Sequence, residues 1–119
     1  MRVVIAGSRS IEDKELVFGI LDEILTGVDV TVVLSGMAIG VDKLGKRWAE
    51  SKCIKVERHP ANWKKYGPKI AGFIRNTHMA HICDLGVIIH DGKSKGTAHM
   101  MGELRRLNVP YTLRVVQKS

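Results

Sequence analysis

The chain has 119 residues, 45% of them hydrophobic, which is the size and composition of a single compact domain spanning 1–119 rather than of a disordered segment. No run approaches the roughly 18 apolar residues of a membrane span, and the opening segment passes into acidic residues instead of a signal-peptide core, so a cytoplasmic protein with no membrane partner is expected. The net charge is +7 but unevenly spread, at −4 over residues 1–42 and +11 over 43–119, which permits a polyanionic or phosphorylated partner without choosing one.

In chain order, Arg2 to Ala6 is a β-branched strand ending in Gly7-Ser8-Arg9-Ser10. A helix over Ile11 to Leu25 follows, with Leu16, Ile20 and Ile24 on one face and Ser10 as its N-cap; Glu12, Asp13 and Glu15 complement its dipole. Val30 to Leu34 is a second strand, closed by the small-residue turn Ser35 to Gly40, and Val41 to Ser51 is a second helix. Ile54 to Glu57 reads as a short third strand, and His59 to Gly67 has the composition of a loop. Pro68 opens a helix reaching Ile82, Leu85 to Ile89 is a continuous apolar strand, and Asp91 to Gly96 is its turn. A helix over Thr97 to Leu107 and a strand over Tyr111 to Val116 complete the series.

Strands alternating regularly with helices predict an α/β, doubly wound parallel sheet of five strands in order 3-2-1-4-5, covered by helices on both faces. The three longest small-residue turns all leave strands and enter helices, so they share the carboxyl edge. There, helix amino ends offer unpaired N–H groups and a favourable dipole to anions. In this order the sheet reverses between the first and fourth strands, which brings Gly7-Ser8-Arg9 opposite Ser94-Lys95-Gly96-Thr97, with Ser35-Gly36 alongside.

Neither GxGxxG nor GxxxxGK[ST] occurs, so dinucleotide binding of the usual kind and P-loop hydrolysis are unsupported and no cofactor is called for. Cys53 and Cys83 lie far apart, outside any CxxC spacing, and are expected as buried thiols. The five histidines show no ligand spacing beyond the loose pair His78 and His81, so no metal site is expected. With six aromatic residues, stacking platforms for single-stranded nucleic acid are sparse.

Gly7-Ser8-Arg9, Ser35 to Asp42, Pro60-Ala61-Asn62-Trp63, the segment Ala71 to Met79, Asp84 and Ser94 to Thr97 together resemble the SLOG superfamily, close to its small bacterial and phage members related to YspA. The resemblance implies a Rossmann-like fold and a site for a nucleotide or a nucleotide-derived, ADP-ribose-like ligand, used for sensing or sequestration. It also admits a Lonely Guy-type phosphoribohydrolase and a DNA-associated protein. Against the Lonely Guy motifs, Arg75 and Met79 match R-K-x-x-M, and Gly96-Thr97 match the core of G-G-x-G-T-x-x-E, but Met100 stands where that motif has its glutamate. Loss of an N-glycosidic bond calls for a nearby carboxylate, which leaves Arg75 and Glu103, one helical turn further on, as the catalytic candidates and binding as the safer expectation.

The ligand-binding set so implied is Gly7, Ser8, Arg9, Ser35, Gly36, Asp42, Trp63, Arg75, Asn76, Ser94, Lys95, Gly96 and Thr97. Within it Arg75 is the anion clamp if its helix begins nearer Gly72 than Pro68. Thr97 is an N-cap or ligand contact, Asp42 a ribose contact or a helix-end charge, and Trp63 a stacking lid or a core plug. Self-association, as a homo-oligomer presenting Met100 and Met101, is the final expectation.

Overall fold

A computed structural model describes residues 1–117. Five parallel strands, β1 (Arg2–Gly7), β2 (Val32–Ser35), β3 (Lys55–Arg58), β4 (Leu85–His90) and β5 (Tyr111–Val115), lie in the order β3-β2-β1-β4-β5. β1 pairs with β2 from Arg2 opposite Val32 and with β4 from Val3 opposite Leu85, so the reversal falls between β1 and β4.

Alternation along β1 divides the core. Val3 and Ile5 face one side with Val17 and Leu21 of α1 (Lys14–Leu25) and Val41, Leu44 and Trp48 of α2 (Val41–Ser51). Val4 and Ala6 face the other with Met79 of α4 (Ala71–Ile82) and Met100 and Leu104 of α5 (Lys95–Arg106). Two helices thus cover each face, as right-handed crossovers on either side of a reversal require.

Several sequence expectations move at their ends. α1 starts at Lys14 rather than Ile11 because Asp13, not Ser10, is its N-cap and accepts the Leu16 N–H at 3.1 Å. Its buried face is Val17, Ile20, Leu21 and Leu25, while Leu16 stays exposed. β3 is one residue later than read. The segment after Pro60 holds a helical turn, α3 (Trp63–Tyr66), capped by the Asn62 side chain, and α4 begins at Ala71 instead of Pro68. α5 begins at Lys95 because Ser94, not Thr97, is its N-cap. Cys83 is buried, as expected, but Cys53 is exposed. No helix among the described residues is long and apolar enough to cross a membrane.

Candidate functional site

Above the carboxyl ends of β1 and β4 lies an open cleft of about 450 Å³. Its walls come from the turns after β1, β2 and β4, from α3, and from the first turns of α4 and α5, the elements that the strand order brings to one edge. Of the residues expected to bind ligand, ten line it: Gly7, Arg9, Asp42, Trp63, Arg75, Asn76, Ser94, Lys95, Gly96 and Thr97. Gly36 lines an adjoining hollow. Ser8 and Ser35 line neither. Both are fully buried and act behind the wall, Ser8 Oγ accepting the Asp91 N–H at 2.9 Å and Ser35 Oγ donating to the Asp42 carbonyl at 3.0 Å.

Arg75 is the centre of the arrangement. With α4 starting at Ala71, it sits one turn inside the helix and reaches across to the β2 turn, where Nη1 donates to the Gly36 carbonyl. Nε donates to Asn76 Oδ1 at 2.9 Å, and the Asn76 amide donates to the Gly96 carbonyl at 3.2 Å, so the guanidinium is oriented from two sides. A Cβ on Gly36 would lie 2.5 Å from Arg75 Nη1 and 2.7 Å from Asp42 Oδ2, so only glycine allows this approach. Burial draws the guanidinium pKa down, the Asp42 charge opposes this and the Arg9 charge adds to it. Arg9 itself is exposed and makes no hydrogen bond or ion pair among the described residues.

Asp42 ties two turns together, accepting the Gly7 N–H and the Ala38 N–H, each at 3.4 Å. It is 5% exposed, and burial raises its pKa to about 6 against the opposing pull of Arg75 and these N–H groups. Between them Gly40 turns the chain into α2 with φ +81°, and a Cβ there would strike the Ser8 carbonyl and Arg9 Cα.

The second carboxylate of the cleft, Asp91, was not singled out from sequence. Its Oδ2 accepts from Ser10 Oγ at 2.7 Å, and its Oδ1 from the N–H groups of Lys93 and Ser94 at 2.8 and 2.9 Å. These donors hold it ionised far below the usual carboxylate range. Ser10, freed from capping α1, thereby joins the cleft wall. Asp91 follows a strand and precedes Gly92, the signature of an Asx turn, and that was the available signal. Phe73, Lys69 and Gly72 also line the cleft and were likewise missed.

At the start of α5, Ser94 Oγ accepts the Thr97 N–H at 3.2 Å, while the N–H groups of Lys95 and Gly96 take no partner among the described residues. They are open donors at a helix amino end, beside Arg9 and Arg75. Trp63 is 46% exposed on the rim, which suits a lid and rules out a core plug.

Two expectations fail here. Glu103 does not line the cleft: it is held by Arg106 and Thr77, which bring its pKa to about 2, and it faces the groove between α4 and α5. Met100 is 1% exposed because α5 turns Thr97, Met100 and Leu104 inward together, so it cannot be offered to a partner.

The chain matches the model of the YspA, cpYpsA-related SLOG family over residues 1–66. It is 35% identical over 116 residues to the Gene 61 protein of Mycobacterium phage D29, an alignment covering 92% of each chain. Among solved structures, DNA processing protein A of Streptococcus pneumoniae superposes with a TM-score of 0.75 at 15% identity. That likeness covers 94% of this chain but 49% of the other, so the chain spans about half of that protein's length.

Proposed function

Because this chain belongs to the YspA, cpYpsA-related SLOG family, we propose that its carboxyl-edge cleft binds a nucleotide or nucleotide-derived ligand by the phosphate, as a sensing or sequestering module. The observation that carries this reading is the meeting of four donors without partners among the described residues: the Arg9 side chain, the remaining Arg75 N–H groups, and the amide groups of Lys95 and Gly96. A phosphate between them gains charge-assisted hydrogen bonds and the α5 dipole at once. Trp63 on the rim supplies a face for a base.

Calorimetric titration with AMP, GMP, CMP and UMP tests this. Arg75→Ala removes a charge-assisted contact worth about 1.5–3 kcal/mol, a fall in affinity of about ten- to a hundredfold. Lys64→Ala, on the exposed face of α3 and outside the cleft lining, leaves affinity unchanged. No binding by any of the four, or full affinity in folded Arg75→Ala, refutes the site.

A second reading, cleavage of the N-glycosidic bond of a nucleoside monophosphate, is favoured by one observation. Asp42, titrating near 6, and Asp91, held ionised, line the same cleft although Met100 replaces the expected glutamate and Glu103 points away. Two carboxyl groups whose surroundings push their pKa values apart are what such chemistry uses. Free base released from the same nucleotides, and lost in Asp42→Asn, would establish it. Retention on single-stranded DNA that declines steeply with salt would instead mark a DNA-associated protein.

We assign the expected self-association to α3 and the start of α4, where Trp63, Tyr66, Ile70, Phe73 and Ile74 are all exposed beside the cleft.

A further inference from the structure

Behind Arg75 a series of polar contacts leads away from the cleft. Arg75 Nε donates to Asn76 Oδ1 at 2.9 Å, Asn76 Nδ2 donates to the Gly96 carbonyl at 3.2 Å, and the same Nδ2 lies 3.4 Å from Nδ1 of His99 on α5. Asn76 is 6% exposed and so depends on these partners rather than on solvent. His99 Nε2 lies 3.8 Å from Glu103 Oε1, and its ring stacks on Phe73 with centroids 4.3 Å apart. His99 is outside the cleft lining, whereas Asn76 and Phe73 are both in it.

The hydrogen-bonding roles in this series are fixed by its first member. An arginine Nε can only donate, so the oxygen of the Asn76 amide must face it and the amide nitrogen must face Gly96 and His99. That nitrogen carries two hydrogens and no free lone pair. One hydrogen goes to the Gly96 carbonyl and the other meets His99 Nδ1, which must therefore be the unprotonated nitrogen of the ring. Neutral His99 thus keeps its hydrogen on Nε2, toward Glu103. An imidazolium carries a hydrogen on both nitrogens, so protonation sets the Nδ1 hydrogen against that of Asn76. Turning the amide would then offer its nitrogen to Arg75 Nε, a second donor, and withdrawing it would leave Arg75 Nε without its acceptor. Either response costs Arg75 the contact that orients it.

Burial draws the His99 pKa below its ordinary value against the pull of the Glu103 charge, and the Arg106 charge adds to the lowering. Both charges come from α5. The helix packed against the ring, α4, brings Phe73, Asn76 and Thr77, none of which titrates, and Arg75 beyond Asn76. We propose that His99 is a positioning residue of the cleft: neutral, it holds Asn76 and through it Arg75 in place; protonated, it releases the guanidinium, so that the cleft holds an anion near neutral pH and lets it go in acid.

Long-range proton–nitrogen NMR on the full chain from pH 4.5 to 8 reads the coupling directly. His99 is expected with its hydrogen on Nε2 and a midpoint below the ordinary imidazole value of about 6.5, and the Arg75 Nε–H resonance is expected to move with the same midpoint. Asn76→Asp, which replaces the opposing N–H by a carboxylate oxygen, should raise the His99 midpoint by about one unit or more. If that variant does not fold, Asn76→Ala, which removes the opposing hydrogen, should raise it too. A hydrogen on Nδ1 in the neutral parent, an Arg75 resonance indifferent to the His99 titration, or a midpoint unmoved by substitution of Asn76 overturns the proposal. The affinity arm rests on the nucleotide reading. Between pH 7.5 and 4.5 the parent should lose about tenfold more affinity for a nucleoside monophosphate than His99→Gln, whose side chain can accept from Asn76 but does not titrate. The phosphate and Asp42 titrate in both proteins and cancel in the comparison. Equal losses in the two proteins overturn the proposal. Failure of every nucleotide to bind, with the NMR outcome as expected, overturns the nucleotide reading alone.

Discussion

Replacing Asp42 with Asn should change how stability depends on pH, because this carboxyl group is buried at 5% exposure with its pKa raised from 3.8 to about 6. An acid whose folded-state pKa lies above its unfolded value keeps its proton longer when folded. Below pH 3.8 both states are protonated and the group contributes nothing to the balance. As pH rises the unfolded chain releases its proton first, so stability falls, and the loss is complete above about pH 6. A difference of roughly two units at 1.36 kcal/mol each makes the loss about 3 kcal/mol. Glu103 and Asp91 work in the opposite sense, since their depressed values give stability that is lost as pH falls, but both are present in the two proteins and cancel in the comparison. Urea unfolding followed by circular dichroism, at intervals from pH 3.5 to 7.5, yields the free energy for each protein. The Asn variant is expected to gain about 3 kcal/mol relative to the parent across that range, mostly between pH 4 and 6. A difference that stays constant with pH would mean that Asp42 ionises as freely as an exposed carboxyl, and would refute the reasoning.

Gly36→Ala places a Cβ 2.5 Å from Arg75 Nη1, so it should lower nucleotide affinity about tenfold and stability by about 1–3 kcal/mol; an unaltered calorimetric isotherm and melting midpoint would count against the fit described. Gly96→Val should behave differently, because its Cβ would meet nothing within 4 Å and its φ lies outside the left-handed region. The variant should melt like the parent yet bind nucleotide at least about tenfold more weakly, since the side chain blocks approach to the helix amino end. Sedimentation at micromolar concentration should show a dimer of the 13.2 kDa chain that Ile70→Glu converts to monomer; a parent that sediments only as monomer would remove α4 as the contact.

Much of the architecture was legible because buried parallel strands leave unbroken apolar runs such as residues 32–34 and 85–89, separated by helices. The order of strands, and with it the meeting of the β1 and β4 turns, follows from chain connectivity. What was not legible depended on contacts between distant residues. Ser10 and Asp13 are both good capping residues, and the choice went to Asp13 because Asp91, 81 positions along the chain from Ser10, engages its hydroxyl. Pro68 looked like a helix start, yet the turn α3 and Gly67 at φ +80° delay α4 to Ala71, which is what lets Arg75 reach Gly36. The inward direction of Met100 could have been read from its spacing to Thr97 and Leu104, which share one helical face.

The cleft turns are fastened to one another as well as each to itself: Asp42 grips Gly7, Ser8 and Ser10 meet Asp91, and Asn76 grips Gly96. At the opposite edge, the turns at Cys53 and Asn108 are closed by backbone bonds to Glu50 and Arg105 within their own segments. Lengthening the chain is therefore unequally tolerated along this molecule. A few residues inserted after Lys52 or Leu107 would disturb only a local bend, whereas the same insertion between Gly36 and Gly40 or between Asp91 and Ser94 would loosen two further turns along with its own. Divergence among proteins built on this plan should then accumulate at one rim of the sheet, while at the other a replacement survives only when its distant counterpart changes with it.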